Sequence, residues 1–136
     1  MGWMHYLIDT NICIYILNKR PAEVIARFKQ YETGLIGVST ITVSELYYGV
    51  ARSQHQEQNL HRLKNFLAPL AFLPYDELAS AVYGKIRRAL EQEGSPIGAL
   101  DLLIAAQALS RDLILVTNNE KEFSHVEKLR IENWTG

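Results

Sequence analysis

Three carboxylates, Asp9, Glu45 and Asp101, stand far apart in the chain, each at the end of or inside an otherwise apolar stretch. Brought together they make a pocket for a divalent cation. Asp9 closes the run Tyr6-Leu7-Ile8 and is followed by Thr10-Asn11 and the apolar segment Ile12 to Leu17, the pattern of a strand that ends in an acid at a helix entrance. Asp101 lies between Ile97 and Ala106, where nearly every neighbour is apolar. A helix that is hydrophobic all round is a buried helix, and an ionised carboxylate there is costly unless something positive meets it. No Lys or Arg falls within one helical turn of Asp101. Its partner must come from elsewhere in the fold or from solution, and a metal ion is the simplest candidate. Near Glu45, the residues Val43, Leu46, Tyr47 and Val50 recur at the helical i, i+3, i+4, i+7 spacing. Glu45 is therefore expected to point away from that core stripe, with Gly49 one turn later on its own face leaving room for something to approach.

The elements that must position these acids alternate along the chain. The patterning predicts strands at 6–9, 35–38, 71–75, 113–117 and 128–134. Helices are predicted at 11–18, 21–32, 41–52, 56–68, 76–93 and 99–111, with Pro21 separating the first two and Gly94 ending the fifth. Short β-branched strands alternating with helices imply an α/β fold in three layers, α/β/α, around a central parallel sheet. Such sheets bind ligands at the carboxyl ends of their strands. Asp9 and Thr117-Asn118-Asn119 fall at such ends, and Glu45 lies about one helical turn beyond another.

A length of 136 residues suits one domain with a real core. The apolar runs are too short for a membrane span, and the start of the chain lacks the layout of a secretory signal, so a cytoplasmic protein is expected. Cys13, the single cysteine, sits on an apolar helix and reads as core packing. A net charge of −1 excludes nucleic-acid binding by overall charge alone. A local basic rim remains open, because Arg52, Arg62, Lys64, Lys85, Arg87 and Arg88 outnumber Glu57, Asp76 and Glu77 in the middle of the chain. Ordinary solvated helix faces account for the same charges equally well.

The segments Leu7 to Asn11, Ser39 to Gly49, Asp101 to Ala106 and Val116 to Phe123 resemble, in order and spacing, the successive motifs of PIN-domain ribonucleases. Among these, the VapC-type toxins of bacterial toxin–antitoxin pairs are the most similar. The resemblance runs from Tyr6 to Trp134 and implies that residues 1–136 form one PIN domain. It further implies a Mg²⁺- or Mn²⁺-dependent endoribonuclease whose acids are Asp9, Glu45 and Asp101. Asp9 and Asp101 are expected to ligate metal directly, and Glu45 to ligate it or orient water. PIN domains often carry a fourth acid near the position of Asn119. Here an amide stands there, and Glu122 is the nearest acid of the same motif, so both are carried as candidates, Asn119 in the outer shell. Thr10, Asn11, Ser39 and Thr117 match polar positions that line the family's pocket. The partners implied are a structured RNA, transfer RNA foremost, and a cognate antitoxin, with the toxin a homodimer or part of a larger toxin–antitoxin assembly.

An oxygen-only ligand set favours a hard cation that keeps several waters. With such an ion the nucleophile comes from solvent rather than from the RNA 2′-OH, so products should carry 5′-phosphate and 3′-hydroxyl ends. Two other classes remain: a catalytically weak PIN-like module that grips RNA or protein, favoured by Asn119, and a metal-dependent phosphatase for small esters. His5, His55, His61 and His125 lie outside the motifs and read as structural or solvated. Asp76 after Leu73-Pro74-Tyr75 lacks the adjacent acidic pair and the lysine of a phospho-accepting receiver. Tyr47 and Tyr48 could stack bases. Packing is the expectation for Tyr47, while Tyr48 is open.

Overall fold

The computed structural model describes residues 4–135. Five strands form one wholly parallel sheet in the order β3-β2-β1-β4-β5: β1 (Tyr6–Ile8), β2 (Ile36–Ser39), β3 (Ala71–Leu73), β4 (Ile114–Val116) and β5 (Ile131–Glu132). Seven α-helices connect and cover them: α1 (Thr10–Leu17), α2 (Ala22–Gln30), α3 (Thr40–Ala51), α4 (Gln56–Leu67), α5 (Glu77–Glu93), α6 (Ala99–Ser110) and α7 (Glu120–Phe123). The expected three-layer α/β/α arrangement is thus found, with the short helix α7 and a 3₁₀ turn at Thr33–Leu35 as additions.

Strand alternation sorts the two cores. Tyr6, Ile8, Ile36, Val38 and Val116 face α1 to α4, meeting Ile12, Val24, Leu46 and Leu63. Leu7 and Leu115 face the other way, against Leu90 of α5, Leu102, Ile104 and Ala105 of α6, and Phe123 of α7. Because both faces of the central strand are covered, β1 is buried at every position. A Cβ at Gly37 would meet the Met4 side chain, which would have to shift to admit it. Gly94 ends α5 in the left-handed region at φ 74°, where residues with a Cβ are strained.

Four strands are shorter than their patterns suggest: β1 stops before Asp9, β4 lacks Leu113 and Thr117, and β3 and β5 are cut back for local reasons. β3 stops at Leu73 because Pro74 has no N–H to continue a ladder. β5 is confined to two residues: Lys128 has φ 69°, and the Asn133 side chain folds the following turn by accepting from the Thr135 N–H at 2.9 Å. That edge is held instead by Trp134, which is buried against Tyr6 and Tyr31. Cys13 is fully buried, as its apolar helix suggested, and burial pushes its thiol well up. No helix among the described residues is long and apolar enough to cross a membrane.

Candidate active site

Strand β1 delivers Asp9 to the carboxyl edge of the sheet at its centre, between β2 and β4. The backbone is extended at Asp9, its N–H donates to the Val116 carbonyl at 3.0 Å, and its Oδ1 accepts from the Ile12 N–H at 2.9 Å. One carboxylate oxygen therefore caps α1, and the residue serves as helix cap and as candidate ligand at once. Asp9 is only 5% exposed. Burial pushes its carboxyl up to about 6. The Thr117 hydroxyl and the Ile12 N–H pull the other way, and the charges of Asp101 and Glu45 push it up further. Sites 36 and 92 residues along the chain thus act on one carboxyl group, which is what a shared pocket requires.

Glu45 sits on the second turn of α3, half-buried, and its Oε1 accepts from the Thr10 hydroxyl at 2.7 Å. Thr10 has a single proton to give. The Thr42 hydroxyl, 3.1 Å from that of Thr10, completes the chain by donating to it. The buried stripe of α3 is consequently not the expected one. Thr42 and Leu46 are buried, Val43 and Val50 are partly so, and Tyr47 is 41% exposed. The apolar period missed Thr42 because a hydroxyl that finds a buried partner belongs to the core face despite its polarity.

Asp101 is less deeply placed than an all-apolar helix implied. It lies in the first turn of α6 and is half-buried. A carboxylate at a helix N-terminus is normally stabilised, yet its carboxyl is raised to about 6, first by burial and then by Glu122 beside it. Glu122 comes from α7, and its Oε1 is buried without a donor. As carboxylates, both groups are acceptors, so they coexist only by sharing a proton or a cation. Asn119 is exposed and, among the described residues, makes no side-chain hydrogen bond; its N–H donates to the Thr117 hydroxyl at 3.0 Å. Of the two candidates for the fourth position, Glu122 stands with the acids.

The remaining candidates divide. Thr117 is fully buried next to Asp9, whereas Asn11 is exposed on the rim of a cleft shared with Thr10 and Glu45. Ser39 ends β2, caps α3 by accepting from the Ile41 N–H at 3.0 Å, and donates to Gln107 Oε1. Gln107 in turn donates to the Leu73 carbonyl at 3.1 Å. Gln107 escaped the sequence reading, although its isolation in Ile104 to Leu109 is the same signal that exposed Asp101. Ser39 and Gln107 brace β2, β3 and α6 beneath the acids. Asn118 donates to the Tyr15 hydroxyl at 2.6 Å, while its Oδ1 is buried without a partner.

Among the described residues no three His, Cys, Asp or Glu side chains converge tightly enough to enclose an ion by themselves. That geometry suits a cation held by one or two carboxylates that keeps most of its waters. The donor-less Glu122 Oε1 beside Asp101, and a buried Asp9 that no Lys or Arg among the described residues is seen to pair with, fit such an ion.

A family model described as "PIN domain" matches residues 6–129. Ribonuclease VapC2 of Haemophilus influenzae is 45% identical over 131 residues, covering 96% of this chain and 98% of its own. The tRNA(fMet)-specific endonuclease VapC of Shigella flexneri is 41% identical over 132 residues, covering 97% of this chain and 99% of its own. Among solved structures, VapBC2 from Rickettsia felis bound to a DNA fragment from its promoter has a chain with TM-score 0.89 and 40% identity, covering 96% of this chain and 99% of that one.

Proposed function

The chain belongs to the PIN-domain family as an endoribonuclease of the VapC type, and from that premise we propose that a divalent metal drives it, and how its residues act and on what. The whole chain, 1–136, works as one PIN domain. Asp9 and Asp101 hold the ion, Glu45 ligates it or orients water through the carboxylate that Thr10 steadies, and Glu122, beside Asp101, acts from outside on the ion's waters. Mg²⁺ or Mn²⁺ is the metal best matched to donors that are all oxygen. When bound, it supplies charge neutralisation at the scissile phosphate and acidifies the attacking water. The protein's own part is to fix the acids in place: Asp9 by its cap to Ile12, Glu45 by Thr10, and the strand ends by the Ser39–Gln107 brace. What supports this reading is that buried Asp9, at the sheet edge, feels the charges of both Glu45 and Asp101, with Glu122 beside Asp101.

The substrate is a structured RNA cut at an exposed loop, and transfer RNA is supported by the specificity in the name of the Shigella relative. A cognate antitoxin is the protein partner, supported by the VapBC complexes among the structural neighbours. An Arg or Lys from it would suit the carboxylates by charge pairing. The toxin acts as a homodimer or within a larger assembly with that antitoxin. A purely binding module drew its support from Asn119, and the acid Glu122 beside Asp101 weighs against it.

Product ends test the chemistry. Cleavage of transfer RNA in Mg²⁺ should leave 5′-phosphate and 3′-hydroxyl termini, should stop in EDTA, and should survive a 2′-deoxy substitution at the ribose 5′ of the cut. A 2′,3′-cyclic phosphate, or activity in EDTA, would overturn it.

A further inference from the structure

The cleft that reaches Glu45 has about 530 Å³ of space, within the range of sites that enclose a nucleotide-sized ligand. Along α3 and its C-terminal cap Arg52, the residues Glu45, Tyr48, Gly49 and Arg52 follow one another at i, i+3, i+4 and i+7, so one face presents an acid, a ring, a gap and a cation in line. All four line this cleft, and Arg62 of α4 joins them. Tyr48 is 65% exposed, far more than a packed tyrosine, and the Arg52 guanidinium lies 5.4 Å from its ring centroid. Gly49 has nothing within 4 Å of where a Cβ would stand, which keeps the space beside the ring open. Seven residues at helical rise place Arg52 roughly 10 Å along the axis from Glu45. Among the described residues Arg52 makes no ion pair with Glu45.

We propose that Tyr48 and Arg52 form a cradle for the nucleotide adjoining the scissile phosphate, its base stacked on the Tyr48 ring and its backbone phosphate held by Arg52. The inference rests on the reading that the acids cut RNA. A single RNA strand alternates flat bases with anionic phosphates, and an exposed ring next to a guanidinium matches that alternation. It also resolves how a chain of net charge −1 holds a polyanion beside its own carboxylates: the cation is local, about two turns further along the same helix face. The Arg52 guanidinium takes one face of the ring and the base takes the other.

Binding is measured without cutting by placing the substitutions in an Asp9→Asn background and titrating a fluorescein-labelled transfer-RNA anticodon stem-loop by anisotropy. Tyr48→Ala should weaken binding roughly five- to 150-fold, the range for loss of one base–aromatic stack. Tyr48→Phe and Tyr48→Trp should restore it, and Tyr48→Leu should not. Arg52→Gln should reduce the slope of log affinity against log salt by about 0.7. With Asp9 intact, Tyr48→Ala should raise KM for the same RNA more than it lowers kcat. Equal binding by Tyr48→Ala, rescue by Leu as good as by Phe, or an unchanged salt slope would overturn the cradle. So would a Tyr48→Ala protein that loses its antitoxin partner while keeping full RNA affinity, which would assign the cleft to the protein. Ring-dependent binding by a protein that cuts no RNA would instead overturn the hydrolytic reading and leave the cradle standing.

Discussion

Replacing Asp9 by Asn should stabilise the metal-free protein, by an amount that depends on pH in a defined way. In the fold, burial raises the Asp9 carboxyl from 3.8 to about 6. Two units at 1.36 kcal/mol each make the ionised group a penalty of about 3 kcal/mol against the unfolded chain. Below about pH 4 both states hold the proton and no penalty exists. Between about pH 4 and 6 the unfolded chain ionises first and folding loses ground, and above about pH 6 the whole penalty is present. Asn removes the charge while its side-chain oxygen still caps α1 at Ile12, a role Asn and Asp fill about equally. Its amide must find an acceptor, which trims the gain to about 2–3 kcal/mol, or roughly 6–15 °C in Tm at this chain length. Thermal melts of both proteins in EDTA from pH 3.5 to 8 should show curves that coincide in acid and separate through pH 4 to 6. Mg²⁺ at about 100 times its Kd should then return about 2.7 kcal/mol to the wild type and little to the variant. Equal melting at pH 8 in EDTA, or a gap that does not change with pH, would refute the argument that Asp9 is buried among like charges.

Glu122→Gln should lower kcat/KM about 10–100-fold and weaken Mg²⁺ binding, as expected when a partner of a metal ligand is changed, while Asn119→Ala stays close to wild type; paired Mg²⁺ titrations of RNA cleavage compare them. Gln107→Leu removes the acceptor of the buried Ser39 hydroxyl and the donor to the Leu73 carbonyl. At about 1–3 kcal/mol for each of the two orphaned groups it should cost about 2–6 kcal/mol in urea unfolding, and a loss below about 1 kcal/mol would show that the brace carries no weight.

Element order and type were legible in the sequence because each rests on a signal that a short window contains. The run Tyr6-Leu7-Ile8 ending in Asp9-Thr10 marks a strand passing into a capped helix, and Gly94 marks the end of α5. The parallel sheet follows from strands alternating with helices, and the sheet then brings the carboxyl ends of β1 and β4 side by side, so that Asp9 and Thr117 had to meet. Glu45 and Asp101 could be singled out by their setting, since each is an acid where the local pattern is apolar. The sequence could not decide between Asn119 and Glu122. They are three residues apart on one short helical turn, and only the packing of α7 against α6 determines which reaches Asp101. The same holds for Tyr47, whose spacing placed it in the core while the rotation of α3 buries Thr42 in its stead. Periodicity reports which residues share a face of an element. Which face turns inward, and by how many degrees, depends on partners donated by other elements, here the Thr10 hydroxyl of α1 and the Gln107 amide of α6. Those partners lie tens of residues away, so the choice belongs to the tertiary structure.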